Sequence, residues 1–240
     1  ITMKPKLKAL IIGAGGVTSY MLPALKNSFD LQLTLIDGDV LEKRNLDRQL
    51  FRNNHVGINK AEALMRTYNF RKNEGHVIRS YFDKEMMDTE YKFLFHDADV
   101  LICCADNHPA RRHLLEVAIE LEKPILICAN EYSTSQAYFF DPRLLNEYPM
   151  MNPLLRYPEL LTSNEGSPIR CQGEALESTP QLAIANQTSA SLGNLLLWMW
   201  FSGADTVEGY MPVEYQTTFS RIETITLDDL ANIRIPTHNV

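Results

Sequence analysis

Hydrophobic positions recur along this chain in two rhythms. Leu7 to Ile12 and Asp99 to Cys104 are short and almost wholly apolar, while Leu31-Gln-Leu-Thr-Leu-Ile36 alternates before turning fully apolar. Runs of this length predict strands, and continuous apolar ones predict strands buried on both faces. Further strands are expected at 76–82, 124–128 and 135–140. Between them the period lengthens. A helix is expected from the glycine-rich turn after Ile12 to about residue 28, kinked by Pro23. Ala61, Leu64, Met65 and Tyr68 fall at helical spacing between His55 and Arg71, and Pro109 suits the first turn of a helix over 109–122.

This alternation of β and α segments predicts an α/β fold: a Rossmann-like, mostly parallel sheet covered by helices on both faces. The texture changes at residue 141. Pro142, Pro149, Pro153, Pro158, Pro168 and Pro180 interrupt residues 141–180, which read as a crossover loop without regular structure. Gln181 to Phe201 predicts a long helix with an apolar end, suited to a core or to a dimer interface. Two strand-like runs (206–211 and 215–225) and a polar tail follow. One domain over 1–240 is expected, with a core at 1–140, the crossover at 141–180 and a C-terminal helix and strands at 181–240.

Composition narrows the function classes. A net charge of −7, with no basic patch or tail, speaks against a nucleic-acid or anionic-membrane binder. The most apolar stretch, Leu195 to Phe201, is too short to span a bilayer, and only a strand-length apolar run follows Lys4, Lys6 and Lys8, so no secretory leader is expected. Four cysteines, with no C-x-x-C pair, give neither a disulfide framework nor a Cys₄ zinc site and suit a reducing cytoplasm. Cys103, Cys104 and Cys128 fall in apolar strands and read as core residues. Cys171 lies in the proline-broken segment beside Arg170, where an accessible thiol next to a cation is the reactive kind; packing is the alternative. The six histidines make no HExxH or Cys/His cluster, and no Gly-x-Ser-x-Gly elbow exists.

The candidate chemistry gathers at the ends of the expected strands. Gly13-Ala14-Gly15-Gly16 follows the first, and Asp37 ends the second, 24 positions after Gly13. Glycines let backbone N–H groups approach phosphates, and an acid at a strand end accepts hydrogen bonds from ribose hydroxyls, so the pair is a nucleotide fingerprint. Thr18 stands where the third glycine of that pattern is expected. Asp37-Gly-Asp39 lacks the glycine and glutamate spacing of a calcium loop. Asn45, Arg48 and Gln49, at i, i+3 and i+4, share one face of a helical turn, which either aims a guanidinium and two amides at an anion or is a solvated polar face. Lys60 stands near a helix start, a poor place for a cation in the helix dipole, and taken alone is either an ordinary surface lysine or a phosphate-binding one. Asp106 follows an apolar strand at the edge where open sheets bind ligands; with nucleotide phosphates it can hold Mg²⁺, or it can cap the next helix. Asn107 can cap while Asp106 binds metal.

Gly13-x-Gly15-Gly16, Asp37-x-Asp39, Asn45-Leu-x-Arg48-Gln49, Lys60 and Asp106-Asn107, in this order, resemble the ThiF/MoeB/E1 superfamily, enzymes that adenylate the C-terminal carboxylate of a ubiquitin-like protein. The resemblance is tight over about 7–130. Over 171–222 it is looser and most similar to compact ThiF-type proteins of bacterial and phage operons. It implies ATP and Mg²⁺, and nucleotide binding by Gly13, Gly15, Gly16, Asp37, Asp39, Gln49 and Asn107. Catalytic roles fall to Arg48, Asn45, Lys60 and Asp106, the last holding the metal, and Lys60 would contact the phosphates. The implied partners are a small ubiquitin-like or sulfur-carrier protein and a second copy of the chain. Cys171 lies roughly where thioester-forming relatives keep their catalytic thiol. The family's partner-supplied N-terminal arginine has no counterpart before Gly13; Lys4, Lys6, Lys8 or Arg52 are the candidates in its place. The rival readings are an NAD-dependent oxidoreductase, which leaves Asn45, Arg48, Gln49 and Lys60 unexplained, and an inactive nucleotide-binding scaffold.

Overall fold

The apolar runs form strands that share one sheet. In the computed structural model, which describes residues 4–131, 134–163, 182–202, 211–218 and 221–233, the first strands are β1 (Lys6–Ile12), β2 (Asp30–Ile36), β3 (Gly75–Ile78), β4 (Val100–Cys103) and β5 (Ile125–Asn130). With β6 (Thr134–Phe140), β7 (Pro212–Thr218) and β8 (Arg221–Thr226) they make an eight-stranded sheet in the order β3-β2-β1-β4-β5-β6-β7-β8. The first five run parallel, and β4 is buried throughout. Strand order reverses between β1 and β4. Because Ile12 pairs with both Ile36 and Cys103, the carboxyl ends of β1, β2 and β4 finish at one level around that reversal.

β1 leads through α1 (Gly16–Ser28) to β2 on one side, and β4 leads through α4 (His108–Glu120) to β5 on the other. Right-handed crossovers in opposite directions place these helices on opposite faces. The helices α2 (Lys60–Thr67) and α3 (Lys92–Asp97) complete the parallel half. Pro23 sits within α1 and has no N–H to give the Ser19 carbonyl one turn back; the Tyr68 hydroxyl donates to that carbonyl instead, at 2.6 Å.

β6 departs from the parallel pattern and pairs antiparallel with β5. Only residues 131–133 join the two, far fewer than a parallel crossover requires. β7 and β8 continue antiparallel as a hairpin, so the run expected as one strand at 215–225 is two, beginning at Pro212. Residues 206–210 of the other expected strand lie outside the described residues.

The expectation of an irregular crossover is corrected over 141–163. Pro142 and Pro149 open 3₁₀ turns, and α5 (Pro153–Arg156) and α6 (Glu159–Thr162) follow. Proline suits a first helical position because its missing N–H is unpaired there anyway, so these prolines start structure rather than dissolve it. Glu214, fully buried on β7, anchors the segment: it pairs with Arg156 and Tyr157 and accepts from Gln136 Nε2 (2.7 Å) and Gln216 Nε2 (2.6 Å).

The long helix α7 (Ala183–Ser202) packs beside α1 and across β5 and β6. Leu196 and Leu197 are fully buried and Trp200 stacks on Phe139, with ring centroids 4.5 Å apart. Leu195 and Trp198 of the same helix are exposed. A short α8 (Leu227–Ala231), capped by Thr226, closes the described chain. Among the described residues no helix is long and apolar enough to cross a membrane.

Candidate functional site

The level ends of β1, β2 and β4 bring the glycine turn, the acidic stretch and Asp106 to one edge. Gly13 adopts φ +91°, and a Cβ there would lie 2.8 Å from the Ala105 amide nitrogen, so the turn lies directly against the chain leaving β4. Only glycine meets both demands. Thr18, fully buried, donates its hydroxyl to the Gly13 carbonyl, tying down the turn from the position of the missing third glycine. At Gly15 an added Cβ would meet only Gln49 Nε2, at 3.9 Å, so the backbone there is open to a ligand.

Asp37 is held by the turn it faces. Ala14 N–H donates to Oδ2 (2.6 Å) and Asp39 N–H to Oδ1 (2.7 Å). Burial pushes its carboxyl up from 3.8 to about 6, against the pull of the Lys60 charge and the Ala14 amide. Asp39 differs. Burial would raise it, but Lys60 and Tyr81 hydrogen bonds hold its carboxyl below the ordinary value. Lys60 Nζ lies 2.7 Å from Asp39 Oδ2, and Tyr81 donates its hydroxyl to Oδ1 at 2.5 Å. That bond in turn raises the Tyr81 phenol to about 12. The Tyr81 ring covers Gly38, where a Cβ would lie 2.8 Å from it.

Lys60 reaches Asp39 because a short antiparallel contact joins Val40 and Asn59. The expected helix over 55–71 begins later, since Asn59 caps it: Oδ1 accepts from Glu62 N–H (3.3 Å), and Nδ2 donates to the carbonyls of Asp37 (2.8 Å) and Asp39 (3.1 Å). Lys60 is thus the first residue of α2.

Asn45 is buried and closes its own turn, Oδ1 accepting from Glu42 N–H at 2.9 Å, and its carbonyl accepts from both Arg48 and Gln49 amides. Arg48 Nη1 donates to the Arg44 carbonyl (3.0 Å) and Asp47 Oδ1 (2.9 Å). At the end of β4, Asn107 caps α4 by accepting from Ala110 N–H (2.8 Å), and Asp106 beside it is exposed. Arg111 Nε donates to the Ala105 carbonyl (3.2 Å), which adds a guanidinium to this edge. Among the described residues no three His, Cys, Asp or Glu side chains group as a metal cluster. A metal here would rest on a carboxylate such as Asp106 together with a ligand's own phosphates, as the chemistry of Mg²⁺ permits.

Cys103 and Cys128 are buried and Cys104 partly so, while Cys171 lies outside the described residues. Lys8, one of the candidate N-terminal cations, pairs with Asp97 (2.8 Å) at the far, amino end of β1, and Arg52 donates to the Thr67 carbonyl (3.4 Å). Sequence reading did not single out Tyr81, Asn59, Arg111 or Asn186. None sits in a motif; each reaches the site through the fold.

The sequence profile of the ThiF family matches residues 5–191. The chain belongs to the ThiF family. This ThiF-family chain is similar to the adenylyltransferase and sulfurtransferase UBA4 of Kluyveromyces lactis, with 29% identity over 133 residues covering 55% of this chain and 30% of that protein. It is also similar to SUMO-activating enzyme subunit 2 of Dictyostelium discoideum, with 31% identity over 50% of this chain and 18% of the relative. The chain thus spans less than a third of the length of these relatives. In fold it matches E. coli MccB solved with ATP (TM-score 0.67, 18% identity, 92% of this chain and 64% of that one) and PaaA (TM-score 0.65, 17% identity, 92% and 64%).

Proposed function

We propose that this chain binds Mg·ATP and adenylates the C-terminal carboxylate of a small ubiquitin-like or sulfur-carrier protein. The observation that carries the reading is the convergence of Gly13–Gly16, Asp37, the Asp39–Lys60 pair and the Arg48–Gln49 turn on one sheet edge, within a ThiF-family chain. The relatives named as adenylyltransferase and as SUMO-activating enzyme support it.

In the proposed reaction a carrier carboxylate oxygen attacks the α-phosphorus of ATP. The acyl O–P bond forms, the P–O bond to the leaving pyrophosphate breaks, and negative charge builds on the phosphoryl oxygens. Positioned cations and donors carry most of such catalysis. The open backbone at Gly15 admits phosphates, Asp37 accepts from ribose hydroxyls, and Lys60 and Arg48 supply positive charge. Asn45, Asp39, Gln49 and Asn107 shape the site around them. Asp106 would hold Mg²⁺, which neutralises phosphate charge when bound. A thioester on Cys171, a homodimer and a cytoplasmic setting belong to the same reading.

The test has two stages. Mg·ATP should raise the melting temperature and NAD should not; stabilisation by NAD alone would favour the oxidoreductase. With a β-grasp carrier ending in Gly-Gly supplied, the chain should catalyse ATP–pyrophosphate exchange. Arg48→Ala and Asp106→Ala should each lower that exchange by about a hundredfold or more with the fold intact. Nucleotide binding without exchange would favour the inactive scaffold.

A further inference from the structure

Asn186 stands 138 residues from Arg48 in sequence and fully buried at the end of the first turn of α7. Its Nδ2 donates to the Arg48 carbonyl at 3.1 Å. The same amide lies against Gly16, where a Cβ would come within 2.3 Å of Nδ2. Gly16 therefore leaves room for Asn186, and Asn186 spans from the start of α1 to the Arg48 turn. A second tie joins the same two elements. Ser19 Oγ accepts from Leu50 N–H (3.0 Å) and donates to the Gly16 carbonyl (2.6 Å). The turn is thus clamped at Arg48 by α7 and at Leu50 by α1. Gln49 lies between the clamps, directed at Gly15.

The amide also carries a cost. Among the described residues Asn186 Oδ1 has no hydrogen-bond partner, and a buried polar atom left unpaired costs about 1–3 kcal/mol. An apolar side chain of similar size would serve packing between α1 and α7 better. What the asparagine adds is a hydrogen bond to the turn that bears Arg48 and Gln49, made by an amide that packs on Gly16.

We propose that Asn186 is a positioning residue of the nucleotide site, setting the Arg48–Gln49 turn against the Gly15–Gly16 start of α1. The inference rests on the adenylation reading for its catalytic consequence and on geometry alone for the clamp. Displacement of a catalytic group by an ångström from a change outside the reacting atoms can cost about a hundredfold in rate.

The test compares wild type with Asn186→Leu, which keeps the branched four-atom side chain and removes the donor, and with Asn186→Ala, which carries the test if the bulkier leucine variant does not fold. In exchange assays with a Gly-Gly carrier, kcat should fall about ten- to a hundredfold while KM for ATP stays within about threefold. Amide hydrogen exchange over residues 45–51 should quicken while β1 and β4 keep their protection. An unchanged kcat with a shifted melting temperature would overturn the proposal, since a packing residue behaves so. If wild type shows no pyrophosphate exchange, the adenylation reading fails and hydrogen exchange decides the clamp alone. Faster exchange confined to 45–51 supports it, and unaltered exchange there overturns it.

Discussion

Lys60 and Asp39 are joined twice: Nζ lies 2.7 Å from Oδ2, and the Lys60 amide donates to the Asp39 carbonyl at 2.9 Å. The backbone bond fixes where the lysine starts, and the ion pair fixes where its charge rests without a ligand. Its side chain is only 13% exposed, so the charge needs that partner.

Asp39→Asn should therefore lower the ligand-free stability by about 1 kcal/mol, the scale of a partly exposed pair. It should also enlarge the rise in melting temperature that Mg·ATP produces, because phosphate oxygens would replace the lost partner. Thermal shift with and without Mg·ATP checks both. A smaller rise than in wild type would mean that Asp39 serves the nucleotide directly rather than restraining Lys60.

How far the sequence disclosed this site depends on the range of the interaction. Gly13 and Asp37 were legible because strand, turn and acid follow each other locally, and the register Ile12↔Ile36 then sets them level. The parallel half of the sheet was legible for the same reason. The antiparallel half was not, because it turns on the brevity of residues 131–133 and on pairing with β7 across a long interval. Tyr81 and Asn186 had no signal at all. Each is an ordinary residue type whose role comes from a contact made across the fold, Tyr81 with Asp39 and Asn186 with Arg48.

The glycines of the turn should part company on substitution. Gly13→Ala meets both a positive φ and the Ala105 amide at 2.8 Å, and should cost about 1–3 kcal/mol or more of stability. Gly15 has φ −91° and open space, so Gly15→Ala should leave the melting temperature within a few degrees. Its methyl group would still stand where phosphates are proposed to approach, so Mg·ATP binding should weaken at least tenfold, as calorimetry would read. Unimpaired binding by Gly15→Ala would place the phosphates elsewhere.

Substitution of Cys171 separates the proposed adenylation from the proposed thioester capture. Adenylation requires donors and a metal but no thiol, so Cys171→Ala should leave pyrophosphate exchange nearly unchanged. The same variant should lose any reductant-sensitive adduct with the carrier, seen as a band shift on a non-reducing gel. Of the other thiols, Cys103 and Cys128 are buried, and burial raises Cys103 to about 12, a poor nucleophile. An adduct that survives the substitution, or one that never forms in wild type, would assign Cys171 to structure.

Asp37 should make the site pH-sensitive. Its carboxyl is raised from 3.8 to about 6, chiefly by burial, so the folded chain holds this proton more tightly than the unfolded chain. Ionisation between about pH 4 and 6 therefore costs stability, and the cost stays constant above that window. Asp39 works in the opposite sense: its lowered carboxyl contributes stability above 3.8 that is lost only as pH falls further, outside this window. The ligand-free melting temperature of wild type should accordingly decline from pH 4 to 6 relative to that of Asp37→Asn. The proposed ribose contact runs the other way, since only the carboxylate can accept from two hydroxyls. At pH 5 about a tenth of Asp37 is ionised, so Mg·ATP affinity should be about tenfold weaker there than at pH 7. Asp37→Asn should bind weakly at both, and subtracting its slope removes the titration of the nucleotide itself. Identical slopes for wild type and Asp37→Asn in calorimetry would take the ribose contact away from Asp37.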